Sequence, residues 1–284
     1  MKNEKTLPVH TAAIYYNRRR PDALSGALSA AELLHNAGVS VRMFIPDPQP
    51  IPDYIVRCGI AEALYNADMA ITFGGDGSIL RVAAHAAPRG IPILGINLGH
   101  LGFMSELEPD ETERIREVIS GRYHLEHRMM LKVQTIRGGV IYPRGHVLND
   151  AVIGRDQSGR ILDLTVGADG AVIGRYRADG IIAATPTGST AYSLAAGGPV
   201  IEPAARNIVL TPICAHAMAA RSFVLAPSRR ITLSAESESV LTLDGRDGIP
   251  LKEEETVVVT RSPYTTDLVR IKDRNVFDVI RSKL

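Results

Sequence analysis

Tryptophan is absent from this chain, cysteine occurs twice, and only 5% of the residues are aromatic. Two cysteines as far apart as Cys58 and Cys214 exclude a disulfide framework and a CxxC zinc or redox pair. So few aromatics argue against a stacking platform for single-stranded nucleic acid. Charge of one sign is missing too. Lys and Arg number 32 against 31 Asp and Glu, a net charge of +1, so nothing pulls the chain toward nucleic acid or anionic lipid. No apolar run approaches the roughly 20 residues of a membrane helix. The opening MKNEKTLPVHTAAIYY lacks the apolar core and cleavage site of a secretion signal. A cytoplasmic protein with no nucleic-acid partner and no membrane partner is expected. The 8 histidines do not cluster, and His124 and His127 lack HExxH spacing. There is no G-x-S-x-G elbow, G-x-G-x-x-G fingerprint or EF-hand loop.

What is present is an ordinary globular composition: 284 residues, 45% hydrophobic and 22% charged. A chain of this length buries about three quarters of its unfolded surface. Its first third alternates strand and helix. His10–Tyr16, Val39–Ile45, Ala67–Phe73 and Ile91–Ile96 read as strands. Pro21–Ala37 reads as a helix with Leu24, Ala27, Leu28, Ala31 and Leu34 on one face and a stop at Gly38. A Pro-rich connector, Pro46–Pro52, interrupts the alternation. Ile79–Ala87 and Pro109–Ile119 are further helices. This pattern predicts an α/β domain with an open, mostly parallel sheet and sites at strand C-terminal ends.

From about Arg122 the pattern changes to short strands: Met129–Ile136, Val147–Gly154, Ile161–Gly167, Ala171–Tyr176, Ile208–Ile213, Ile231–Ala235, Val240–Leu243 and Thr256–Thr260. Asp169-Gly170 is a hairpin signal. An all-β, sandwich-like second domain is expected. The expected boundaries are 1–110 and 120–264, with the tail 265–284 packing back on the first domain.

The strongest local signal is Gly74-Gly75-Asp76-Gly77-Ser78, between a strand and a helix. Glycines let backbone N–H groups approach an anion, and the helix adds its positive end. The Lys of a P-loop is missing. A carboxylate would repel phosphate, so Asp76 suits a magnesium ligand or a group that takes a proton from an attacking hydroxyl. A tight turn with a capping Asp is the plain alternative. The second signal is Thr185–Pro199, TPTGSTAYSLAAGGP, which follows the apolar run Ile181–Ala184. Thr187, Ser189 and Thr190 suit either helix capping or hydrogen bonds to a nucleoside, with Tyr192 as a flat wall. Asn149-Asp150, Asp179-Gly180 and Asp244-Gly245-Arg246 read locally as turns. The basic run Arg18-Arg19-Arg20 is a solvated loop or an attractor of a polyanionic phosphate donor.

In order and spacing, the set resembles the NAD kinase family: GGDGS at Gly74–Ser78, NLGHLGF at Asn97–Phe103, LNDA at Leu148–Ala151, RADG at Arg177–Gly180, the segment Thr185–Pro199, and LDG at Leu243–Gly245. GGDG is shared with phosphofructokinases and lipid kinases; the long central segment is the specific piece. The resemblance implies an active cleft between an N-terminal α/β domain and a β-rich C-terminal domain, in a dimer or tetramer. It implies phosphorylation of the adenosine 2′-hydroxyl of NAD, or of NADH, by ATP or inorganic polyphosphate with magnesium. Asp76 would be the general base and Gly74, Gly75, Gly77 and Ser78 the phosphate-facing loop. Asp76, Gly77, Phe103, Asn149, Asp150, Arg160, Arg177, Asp179, Thr187, Thr190, Ala191, Tyr192, Ser193, Leu194, Ala195 and Arg246 would contact the dinucleotide. Ser78 stands where the family has Thr, Asp150 where it has Glu, and Arg246 where it commonly has Gln. A charged Arg246 near the nicotinamide would favour NADH over cationic NAD⁺; facing solvent or gripping a pyrophosphate is the plainer placement. The competing readings are a superfamily kinase acting on a sugar phosphate or lipid, and a catalytically silent NAD-binding module.

Overall fold

The alternating strands and helices of the first third assemble on one parallel sheet. In the computed structural model the described residues are 8–46, 49–99, 102–156, 159–216, 220–246, 248–253, 255–273, 279 and 281. Asp47 and Pro48 of the Pro-rich connector, and His100 and Leu101 of the Gly-rich run, lie outside them. The elements of this part are β1 (Thr11–Tyr16), α1 (Ala23–Asn36), β2 (Ser40–Phe44), β3 (Ile55–Cys58), α2 (Ile60–Ala63), β4 (Met69–Gly74), α3 (Asp76–Ala86), β5 (Ile93–Asn97) and α4 (Ile115–Ile119). The strands pair in the order β3-β2-β1-β4-β5, all parallel. Every residue of β4 and β5 is buried, as expected for a parallel sheet covered on both faces. Helix α1 buries Ala23, Ala27, Ala30, Ala31 and Leu34, with Leu24 and Leu28 at the edge of the same core. It stops at Gly38, which has a φ of +79°. The chain winds from β1 to one side through β2 and to the other through β4. That reversal leaves an open switch point at the C-terminal ends of β1 and β4, where α/β sheets place ligands.

The remaining strands are β6 (His124–Arg137), β7 (Val140–Val147), β8 (Asp150–Gly154), β9 (Leu162–Ala168), β10 (Ala171–Ala178), β11 (Gly180–Ala184), β12 (Ile208–Ile213), β13 (Phe223–Leu225), β14 (Ile231–Ala235), β15 (Ser239–Leu243), β16 (Ile249–Leu251) and β17 (Thr256–Arg270). A short helix, α5 (Tyr192–Ala195), follows a 3₁₀ turn at Gly188–Thr190. Two compact units result. One is Met1–His127 with Thr266–Leu284, and the other is Arg128–Thr265. Leu268, at the C-terminal end of β17, pairs in parallel with Ile93 of β5 inside the first unit. In the second unit one antiparallel sheet runs β13-β12-β11-β8-β15-β16, and β10-β9-β14-β17 lie in another. Leu164, Val166 and Leu233 from one sheet share a core with Ile153, Ile181 and Leu210 from the other. This is the expected sandwich.

The structure also departs from the sequence reading. Helix α3 starts at Asp76, not at Ile79, because extended Gly75 caps it and the Ser78 N–H closes the first turn on the Gly75 carbonyl at 2.9 Å. Pro109–Ile119 is a 3₁₀ turn running into the five-residue α4. Strands β3, β13 and β16, of four, three and three residues, are too short to show a period. Strand β11 is buried on both sides, which is why Ile181–Ala184 reads as an unbroken apolar run. Strand β17 continues ten residues past Thr260 because its polar stretch Arg261–Asp267 hides the alternation.

Candidate active site

Strand β4 delivers the Gly74–Ser78 segment to the switch point. Gly74 must be small: a Cβ there would meet the Ser78 Oγ at 2.2 Å. Ser78 is correspondingly buried, and Gly75 and Gly77 are exposed. The amides of Asp76 and Gly77 open α3, where first-turn N–H groups have no helical acceptor and the dipole favours an anion. Asp76 is half-buried. Its Oδ2 accepts the Phe103 N–H at 2.8 Å and its Oδ1 the Met104 N–H at 3.2 Å. Gly102 lies against the same carboxylate, so that a Cβ there would stand 2.1 Å from Oδ1. The two loops therefore form one unit: the glycine turn supplies exposed amides, and the loop after β5 aims the carboxylate. Phe103 is half-buried beside it. Of the basic run, Arg18, Arg19 and Arg20 are all exposed, and the Arg20 guanidinium lies against Gly99 of the loop after β5.

The second unit holds a different acidic arrangement. Asp244, at a φ of +50°, buries its side chain and accepts backbone N–H bonds from Leu148 (3.1 Å), Asn149 (2.8 Å) and Asp150 (3.2 Å). It thereby sets the start of β8. Burial pushes the Asp244 carboxyl up, opposed by these three amides and by Arg246. Burial, and then the Asp244 charge, push Asp150 up to about 7. Near neutral pH the Asp150 carboxyl thus exists both as an acid that can donate a hydrogen bond and as a carboxylate that only accepts. Among the described residues, the buried side-chain Oδ1 of Asn149 has no hydrogen-bond partner. An unpaired buried acceptor is costly, and a ligand donor would satisfy it.

The hydroxyl-rich segment packs directly on this strand start. Gly188 touches the Asn149 backbone, where a Cβ would come within 2.1 Å of the carbonyl oxygen. The Thr185 hydroxyl donates to the Leu148 carbonyl at 2.6 Å and accepts the Gly188 N–H at 3.0 Å. Thr187 is buried and accepts from Arg128 at 3.2 Å. The Ser189 hydroxyl donates to the Pro186 carbonyl (2.7 Å), and the Thr190 hydroxyl to the Thr187 carbonyl (3.0 Å). Ser193 is buried and hydrogen-bonded to Thr211 at 2.8 Å. Most of these hydroxyls build the turn. Thr190, Ala191, Tyr192, Leu194 and Ala195 are among the residues of the segment that are exposed or half-buried.

The remaining expected residues sit nearer solvent. Arg160 and Arg177 are exposed. Asp179 pairs with Arg155 at 3.0 Å. Arg246 folds back on its own turn, donating to the Leu243 carbonyl at 3.1 Å and lying 3.9 Å from Asp244. Among the described residues no cluster of three or more His, Cys, Asp or Glu could cage a metal, and no helix is long and apolar enough to cross a membrane. Sequence reasoning did not single out Arg128, Arg155, Glu106 or Arg270. The contacts of Arg128 with Thr187, of Arg155 with Asp179, and of Arg270 with Met104 and Glu106 span 24 to 166 residues, which no local spacing betrays.

Residues 20–123 match the ATP-NAD kinase N-terminal domain and residues 148–271 the ATP-NAD kinase C-terminal domain. The NAD kinase of Symbiobacterium thermophilum is 42% identical over 262 residues, covering 91% of this chain and 89% of that protein. The NAD kinase of Heliobacterium modesticaldum is 35% identical over 285 residues, covering 96% and 98%. The crystal structure of yeast NADH kinase complexed with NADH superposes with a TM-score of 0.84 at 27% identity, over 97% of this chain and 86% of that one. An NAD kinase from Archaeoglobus fulgidus in complex with ATP gives 0.75 at 25% identity, over 96% and 98%.

Proposed function

The chain belongs to the NAD kinase family, and from that membership we propose that it phosphorylates the adenosine 2′-hydroxyl of NAD with ATP, giving NADP and ADP. The observation that carries the mechanism is the half-buried Asp76 carboxylate, fixed by two backbone amides at the mouth of a glycine turn. The ribose 2′-oxygen forms a bond to the γ-phosphorus of ATP. The bond from that phosphorus to the β,γ-bridging oxygen breaks, and ADP leaves. Asp76 accepts the hydroxyl proton. The amides of Gly75, Asp76 and Gly77 hold phosphate oxygens, so catalysis is alignment and charge stabilisation. Asn149 and Asp150, at the start of β8, bind the adenosine, with Asp150 exchanging hydrogen bonds with the ribose. Tyr192 and Phe103 supply flat apolar contact.

A single half-exposed carboxylate suits Mg²⁺ held chiefly by donor phosphates and water, since Mg²⁺ takes one or two carboxylates and keeps several waters. Bound there, the ion would offset phosphate charge, with Asp76 its protein neighbour. Inorganic polyphosphate as an alternative donor, NADH as an alternative acceptor, a cytoplasmic location and a dimeric or tetrameric state complete the reading.

The test is a coupled assay for NADP with ATP and with polyphosphate, on wild type and Asp76→Asn. Asp76→Asn should bind NAD and lose at least about a hundredfold in kcat. Full activity would remove the base assignment. NAD binding with no NADP from either donor would favour the silent module, and turnover of a sugar phosphate or lipid instead would favour the related kinases.

A further inference from the structure

The loop that aims Asp76 is itself gripped from the far end of the chain. Met104 donates its N–H to Asp76, and its carbonyl accepts from Arg270 Nη1 at 3.0 Å. The same nitrogen donates to the Ser105 carbonyl (3.3 Å) and to Glu106 Oε2 (3.2 Å), and Arg270 Nε donates to Glu126 at 2.6 Å. The grip is reciprocal. The Glu106 side chain is fully buried, and its Oε1 accepts the N–H groups of Ile271 (2.8 Å) and Lys272 (2.6 Å), just past β17. A cation thus holds the loop's carbonyls, and an anion from the loop holds the backbone beyond the cation. Between them the Phe103 and Met104 amides are presented to Asp76.

From this geometry we infer that Arg270 and Glu106 are positioning residues for phosphoryl transfer: they fix the 102–106 loop so that its amides orient the Asp76 carboxylate. The inference rests on Asp76 being the base. A tertiary fold needs no buried, multiply bonded Arg–Glu pair at this place, because replacing such pairs by apolar residues often leaves stability unchanged. The rigid hold acquires a purpose if a reacting oxygen must be met within a fraction of an ångström.

Arg270→Lys keeps the charge and loses the fork that reaches two carbonyls and two carboxylates. In the full-length enzyme it should lower kcat by about tenfold or more while the KM values for NAD and ATP stay within about threefold. The ¹⁵N-amide resonances of Phe103 and Met104 should move in the same direction as in Asp76→Asn. If Arg270→Lys does not fold, Glu126→Gln carries the same test, because Glu126 is part-exposed and accepts from Arg270 Nε. Its kcat should drop by about threefold, with the same two resonances moving. A kcat within twofold of wild type, or a kcat loss with those amides unmoved, overturns the positioning role. Full activity of Asp76→Asn would instead overturn the base assignment, whatever Arg270→Lys does.

Discussion

Asp76 and Asp244 both accept backbone N–H groups, and the two cases run in opposite directions. At Asp76 the backbone holds the carboxylate: two amides from one loop aim it, and it keeps an open side. At Asp244 the carboxylate holds the backbone: three consecutive amides converge on a sealed side chain and fix the start of β8. A carboxylate that is positioned yet open is suited to proton transfer. One that is positioned and sealed is suited to carry other residues, here Asn149 and Asp150. Polar networks therefore need sorting by which partner is left free, not by how many bonds they contain.

The sharpest way to break the contrast is Gly102→Ala. The new methyl would overlap the Asp76 carboxylate, so the side chain or loop must shift. We expect a loss of about a hundredfold in kcat with a melting temperature near that of wild type, read by steady-state kinetics beside thermal unfolding. If kcat survives, Asp76 does not need this orientation. Asp244→Asn should show the reverse balance. Asn tolerates the positive φ but turns an NH₂ toward amide donors, costing about 1–3 kcal/mol of stability and weakening NAD binding more than kcat. Urea unfolding and NAD titration would measure both.

The smallest effect concerns Asp150. Its folded pKa, about 7, lies above the ordinary 3.8. The group's stabilising contribution is therefore complete below the unfolded value and is lost as pH rises through about 7. Asp150→Asn should flatten the stability profile across that window, by about 1 kcal/mol or more between pH 5 and pH 8. An unchanged slope would mean that Asp150 is not held as a buried acid. Together with the Gly102 and Asp244 variants, it separates chemistry, architecture and titration.

Much of this was legible in the chain. The βα alternation of the first third and the short strands of the second gave the two architectures. Gly74–Ser78 stood out because three glycines around one acid need a reason. The hydroxyls of Thr185–Pro199 were visible, but their use was not. Thr185, Ser189 and Ser193 turn inward to build the turn, since buried hydroxyls bond whatever carbonyl or hydroxyl the fold brings near. Short strands such as β3 and β13 were missed because three or four residues carry no period.

By itself, then, the sequence determined the fold class, the glycine turn and the acid within it, for periodicity and backbone freedom are local properties written in consecutive residues. Only the tertiary structure decided which amides aim Asp76, which backbone Asp244 carries, and that Arg270 reaches back 166 residues to hold Met104. Such bonds form when distant segments are packed together. An aspartate or arginine that will make them looks, along the chain, like one that faces water.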